Sequence, residues 1–549
     1  MKKHIITLIA VAIISEIIAI IGVLTLFSYW LGNETVANAG SINPVSSAGN
    51  HYANYGNNNT LYNIKAYVSL SEDIVAIKES VKLDIVYSVP FDSSVSSGNT
   101  GKFGDDNKTG TAEYPADNDD IDDNDDISSV NYPAGNEINN TIYLYIPSIN
   151  VANTTIKNIY MENMYSEIIP IRNWEINGLV LEIRTIPDKH RDKLQANGHS
   201  YIHIEYEIRL NKNTGTISNS NNQILLANFL ITPAVYKGDK PILLYNSGFG
   251  DPYVYESNNY YVVFNIDKNM EVFAPGEKIV QNYDYDYDYD YDSNNDNYND
   301  NYNDISSVEK FKPGNNVHFD EGMQKIIFKA DNLRDFPVVI TKNIKGNSLD
   351  DSIYIEKVND TEIYFINSKY AVKYVKEAFS FANMKIGPYP YKKLFVVKAS
   401  IPLQGMEFSN MVFIADRCFN DKQDLKRILY HEIFHQWFYG IIGTDQVNEP
   451  FMDEGIVNYL AIILNGDKLN SNYNNEFFNK ELRDYASKDE YYHLAYIDAA
   501  TYFSNIHKEL GNNFYKLLQK IYKEKKFSII YFNEFKRYLE GYYEGCFVW

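Results

Sequence analysis

His431-Glu432-Ile433-Phe434-His435 is followed, after eighteen intervening residues, by Glu454. On a helix, positions i and i+4 lie one turn apart on the same face, so His431 and His435 can direct both imidazoles at one ion. A carboxylate from a second helix, Glu454, completes three ligands for one Zn2+ ion and leaves the fourth position open, the mark of a catalytic rather than a structural site. Glu432 lies beside that open position, where a carboxylate can take a proton from water. Both histidines fall in an apolar helical pattern (Leu425, Ile428, Leu429, Ile433, Phe434, Trp437, Phe438), although the chain has only ten histidines. Glu454 opens a second apolar pattern, Met452–Leu464, and the connection is short enough to fold it back against the first. Thiolate zinc ligation and a disulfide framework are excluded by a count of two cysteines, Cys418 and Cys546. Cys418 reads as a small buried hydrophobe.

The elements that must position these residues change character along the chain. Short alternating runs rich in β-branched and aromatic residues predict strands at Tyr62–Leu70, Val81–Val89, Thr141–Ile146, Leu179–Thr185, Tyr201–Leu210 and Tyr260–Ile266, a β-rich domain over 61–337. From 338 to 549 the pattern is a short strand layer (Asp351–Asn367, Leu394–Ala399, Met411–Ala415) with a helix at Lys369–Met384. Helices then follow at 421–439, 451–465, 474–487, 496–510, 512–524 and 532–541. The fold class is α+β and multidomain: a saddle- or sandwich-like β-rich domain, then a thermolysin-like α/β catalytic domain with a helical lobe.

The net charge of -22 is concentrated. Residues 101–130 carry -8 and residues 282–308 another -8, leaving -6 for all the rest. Both tracts read as low-complexity inserts, the second containing five Tyr-Asp pairs between Tyr283 and Asp292. Neither has the glycine and glutamate offsets of an EF-hand. With no basic stripe to neutralise phosphates, nucleic-acid binding is disfavoured.

At the N-terminus an apolar run, Ile5–Leu31, follows Lys2 and Lys3 and is long enough to span a bilayer, with Tyr29 and Trp30 at one border. Glu16 is costly within such a span. The expectation is a single-pass anchor in the cell membrane (1–31) and a flexible stalk (32–60), with the catalytic domain extracytoplasmic. Ala37-Asn38-Ala39 offers the competing reading of a secreted chain cleaved after Ala39.

The zinc motif resembles that of the aminopeptidase N family of gluzincin zinc metallopeptidases, including His435-Gln436-Trp437 and Phe451-Met452-Asp453-Glu454-Gly455. The likeness extends from about Leu61 to the C-terminus, through Asp251–Pro275 and Gly387-Pro388-Tyr389-Pro390-Tyr391. It implies a zinc aminopeptidase acting on peptides with a free N-terminus. The family's exopeptidase motif, glycine-x-methionine-glutamate-asparagine, is similar to Gln404-Gly405-Met406-Glu407-Phe408. The resemblance therefore implies substrate binding by Gly405, Met406 and Glu407, with the Glu407 carboxylate on the α-ammonium. Gln404 and Phe408 depart from the pattern. A family tyrosine that stabilises the oxyanion corresponds to Tyr496, ahead of Leu510-Gly511, with Tyr491, Tyr492 and Tyr502 as neighbours. Asp498 and Ala499 replace the lysine-glycine pair usual after it. The family commonly adds a helical C-terminal domain, so this chain reads as a minimal or a truncated form. The rival readings are a thermolysin-like endopeptidase, which would not use Glu407, and a non-enzymatic surface-binding protein.

Overall fold

Alternation of apolar and polar residues turns one face of each N-terminal strand toward a core. In Ser200–Arg209, for example, Ile202, Ile204, Tyr206 and Ile208 are all buried. The computed structural model describes residues 63–83, 141–184, 200–282, 322–342, 353–469 and 479–542, apart from short gaps at 72, 147–152, 163–167, 221 and 239. Eight strands pair in the order Glu277–Asn282, Met323–Leu333, Asn258–Asp267, Ile64–Leu70, Ile74–Leu83, Ser200–Arg209, Thr154–Glu162 and Ile168–Pro170. All neighbours are antiparallel except Ile64–Leu70 against Asn258–Asp267. Two four-stranded sheets contribute Leu144, Leu181, Ile224 and Val338 to the same core, completing an N-terminal β-rich domain. Val338–Lys342 belongs to it by pairing, lying between Gln223–Leu226 and Met270–Phe273.

Beyond this domain we number elements from the next strand. A five-stranded sheet has the order β1 (Ile353–Val358), β2 (Thr361–Ile366), β3 (Lys393–Ala399), β5 (Met411–Ala415), β4 (Gly405–Phe408). Strands β2, β3 and β5 are parallel, and the edge strand β4 runs antiparallel to β5. Helix α1 (Val372–Lys385) follows β2. A helical C-terminal region follows the sheet: α2 (Lys422–Phe434), α3 (Phe451–Asn465), α4 (Lys488–Tyr491), α5 (Ala499–Leu510), α6 (Asn513–Lys525) and α7 (Phe532–Glu540). The helix expected over 421–439 stops at Phe434 because the chain turns sharply, with Tyr439 at φ +127°. In the described part of the expected helix 474–487 there is only a single turn, Leu482–Asp484.

Arg334, fully buried just beyond Met323–Leu333, joins the two halves. Its guanidinium donates to the carbonyls of Tyr255 (2.6 Å), Ser528 (2.8 Å), Ile441 (3.3 Å) and Tyr439.

Among the described residues no helix is long and apolar enough to cross a membrane. The longest described, α3, has 15 residues, whereas a span needs about 20. The expected cell-membrane localisation with an extracytoplasmic catalytic domain is withdrawn on this finding. The Ile5–Leu31 run, the Ala37–Ala39 site and the stalk lie outside the described residues, as does the 101–130 insert and all but Asn282 of the 282–308 insert.

Glu79 lies inside the β-rich core at 2% exposure. Burial pushes its carboxyl up from 4.5 to about 8, against hydrogen bonds from the Tyr206 hydroxyl (2.5 Å) and the Ile231 N–H (3.0 Å). The group is therefore protonated in the fold at pH 7 and ionised in the unfolded chain. Its contribution is complete below the unfolded value and is lost as pH rises from about 4.5 through about 8. Glu79→Gln should remove this slope, raising the unfolding free energy at pH 8 by on the order of 3 kcal/mol with little change at pH 5, as read by urea titration at each pH.

Candidate metal centre

Helix α2 begins where Asp421 accepts the backbone N–H groups of Gln423 (2.7 Å) and Asp424 (3.0 Å). That start buries Leu425, Leu429 and Ile433 in the core and brings His431 and His435 to the end of the helix. Helix α3 carries Asp453 and Glu454 in its first turn, where the helix dipole favours carboxylates. Gly455 permits close packing behind them, since a Cβ there would fall 2.5 Å from the Cβ of Ala499. Asn458 on α3 donates to the Tyr496 carbonyl (3.0 Å), tying α3 to the stretch before α5.

These contacts bring the three expected ligands together. His431 Nε2 lies 3.0 Å from His435 Nε2 and 3.2 Å from Glu454 Oε2, and His435 Nε2 lies 3.5 Å from the same oxygen. A tetrahedral zinc ion with bonds of ~2.0–2.1 Å needs donor separations of about 3.4 Å, which this triangle closely matches. His435 Nδ1 faces the Phe438 carbonyl (3.1 Å) and Asp453 (3.5 Å), an arrangement that places a proton on Nδ1 and a lone pair on Nε2. Glu432 keeps one buried oxygen, Oε2, with no hydrogen-bond partner among the described residues. The donor set fits a single divalent ion.

Edge strand β4 packs beside α2. Gly405 is the point of closest approach: a Cβ there would fall 2.2 Å from Glu432 Oε1. The Met406 side chain is buried in the core, and the Glu407 carboxylate is buried facing the metal centre. Glu407, His435 and Asp453 form a second group whose ligand atoms all lie within 4.8 Å of one another. Gln446 Nε2 donates to Glu407 Oε1 (3.4 Å) and to Asp453 Oδ2.

Gln436 joins α2 to the turn after β4. Its amide donates to the Phe408 carbonyl (3.0 Å) and accepts from Asn410 N–H (3.0 Å) and the Tyr389 hydroxyl (3.1 Å). The β-rich domain grips the same turn, with Ser409 N–H on Asp335 (2.8 Å) and Ser409 Oγ accepting Arg334 N–H (3.0 Å).

Tyr496 lies in a π-helical stretch, Tyr492–Asp498, immediately before α5. Its ring stacks on that of His431, with centroids 5.7 Å apart and planes at 13°. Of the neighbouring tyrosines, Tyr491 packs edge-on against Tyr496 at 5.7 Å, and Phe249 of the β-rich domain packs on Tyr491 at 5.5 Å. The extra residue in a wide helical turn re-aims a side chain, and such turns recur at functional sites.

Sequence reading missed Asp251, Gln436, Gln446 and Asp453 as parts of this centre. Position gave a signal for three of them, since Asp453 and Gln436 each adjoin a ligand and Gln446 lies in the connection between ligands. Asp251, from the β-rich domain, had none.

Residues 370–542 match the Peptidase family M1 domain. Over these residues the chain is similar to that family's domain. The structure is similar to Legionella pneumophila aminopeptidase A solved with aspartic acid: 12% identity, TM-score 0.53, covering 88% of this chain and 47% of that one. It is also similar to an M1 zinc metallopeptidase from Deinococcus radiodurans, at 10% identity and TM-score 0.47, covering 88% of this chain and 93% of that one. At 12% identity the likeness to the Legionella enzyme speaks to the fold alone. This chain spans about half the length of the Legionella enzyme. Comparison with curated protein sequences finds no match.

All eight residues singled out from the sequence fall within the M1 domain. Burial pushes Glu407 well up and Glu432 up to about 8, each with carboxylate neighbours adding to the rise. Asp251 rises to about 7 through burial and then Glu454. Burial would raise Glu454 too, but His431 and His435 hold it below the ordinary carboxylate range. An M1 zinc ion would supply the positive charge that this acidic cluster lacks. Gly405→Ala should drive Glu432 from its place, lowering kcat by roughly a hundredfold while bound zinc, measured by atomic absorption, stays at one per chain.

Proposed function

We propose that this protein is a zinc aminopeptidase with a thermolysin-like catalytic domain, removing single residues from peptides with a free N-terminus. The observation that carries the reading is the position of Glu407: its carboxylate shares a buried cluster with His435, within 4.8 Å. A peptide whose α-ammonium sits on Glu407 has its first peptide bond, and no later one, beside the metal centre.

In this reading His431, His435 and Glu454 hold the ion, with His435 kept in the right tautomer by the Phe438 carbonyl. Zinc, when bound there, supplies Lewis acidity toward water and the scissile carbonyl. Glu432 takes the proton of the attacking water and returns it to the departing amine. The unpartnered Glu432 oxygen and its raised proton affinity suit a group that both accepts and gives back a proton. Tyr496 donates its hydroxyl to the developing oxyanion. Burial, followed by Glu454, raises that phenol well above its usual range, so it remains a donor throughout the working pH range. Gly405 and Met406 set the backbone of β4 beside the substrate, Gly405 by leaving room for Glu432.

Glu432→Gln is expected to retain zinc and lose hydrolysis of an aminoacyl fluorogenic substrate by about 10²–10⁴-fold. Wild-type turnover in that variant would sink the mechanism. A second measurement bears on the exopeptidase claim. A peptide should be cut from its N-terminus when free and spared when N-acetylated. Internal cleavage of the blocked peptide would instead favour an endopeptidase.

A further inference from the structure

Gln446 belongs to neither metal group yet touches both carboxylates of the second, Glu407 and Asp453. It is 3% exposed and lies on the connection between α2 and α3. Its Nε2 carries two protons, and the two contacts are Glu407 Oε1 at 3.4 Å and Asp453 Oδ2. Two carboxylates on one amide require its NH2 end, so the carbonyl is turned away from them. That carbonyl, Oε1, is buried and has no hydrogen-bond partner among the described residues. A buried acceptor left unpaired is costly, so a donor from outside the chain is called for. The group expected beside Glu407 is an ammonium, which brings three N–H donors. One carboxylate, already engaged by an amide, is a poor match for all three.

We propose that Gln446 is part of the amine subsite: its Oε1 accepts a hydrogen bond from the substrate's α-ammonium while its Nε2 holds the Glu407 carboxylate in place. This rests on the aminopeptidase reading and extends it. Because Nε2 also reaches Asp453, which faces His435 Nδ1 at 3.5 Å, the same amide fixes the distance between the amine subsite and a metal ligand.

The test uses the zinc-loaded full chain and two probes, leucine hydroxamate and its des-amino analogue 4-methylpentanohydroxamic acid, with affinities from titration calorimetry. The wild type should prefer the amino compound. Gln446→Met, of similar size but without hydrogen bonds, should shrink that preference by about tenfold or more and leave the des-amino affinity unchanged. Should the Met variant fail to load zinc, Gln446→Asn serves instead. It keeps an amide in the site but withdraws its carbonyl by one methylene, and it should shrink the preference as well. An undiminished preference in the variant that loads zinc, or an equal loss for both probes, would overturn the proposal. A wild type indifferent to the amino group would overturn the aminopeptidase reading itself, a result separable from the others because it appears before any substitution.

Discussion

Desolvation of carboxylates is the constraint around which this structure is arranged. Glu407, Glu432, Asp453 and Glu454 are all buried within one neighbourhood, and the groups facing them include two imidazoles and one glutamine amide. Burying a carboxylate without a compensating charge is strongly unfavourable, and neutralisation by proton uptake is the usual escape. Glu454 takes the other course. Its contacts with His431 and His435 keep it ionised while Glu407 and Glu432 are driven up. The result is a cluster with acceptor atoms in excess, suited to a divalent ion at one point and a cationic substrate group at another.

Such a cluster needs rigid walls, and the fold provides them from three directions. Helix α2 is capped at Asp421 and ends at the sharp turn through Tyr439. A non-glycine residue at positive φ costs on the order of 1–3 kcal/mol, which the surrounding contacts must offset. Arg334 does part of this by collecting carbonyls from that turn, from the β-rich domain and from the α6–α7 connection. Gln436 fastens the same end of α2 to the turn after β4, and Asp335 fastens that turn to the β-rich domain. The β-rich domain therefore acts on the centre mainly through backbone geometry. Its direct contributions, Asp251 and Phe249, come from the loop preceding Asn258–Asp267.

Much of this was legible in the residues. Helical spacing carries a face with it, so His431 and His435 one turn apart could be paired without coordinates, and the apolar runs on either side foretold α2 and α3. Strand periods located most of the β-rich domain, although Ile74–Leu83 begins well before the Val81 expected, because Glu79 occupies an inward position that reads as polar. The expected helix over 474–487 did not materialise in its described part, where the Leu482 N–H is drawn to the Val447 carbonyl and only the turn Leu482–Asp484 forms. The membrane placement rested on a segment outside the described residues, and no described helix supports it.

The sequence by itself pointed to the candidate ligand set and to Glu432 between the histidines, because these depend on residue type and on local spacing, while the carboxylate on β4 came from the resemblance to a family motif. Only the tertiary structure decided what surrounds them: that Gly405 must be bare because Glu432 lies against it, that Gln446 spans Glu407 and Asp453, and that Arg334 locks the turn beyond His435. Those relations join residues far apart in the chain, and their energies come from burial. A linear pattern records neither which distant group lies opposite nor how little water remains between them.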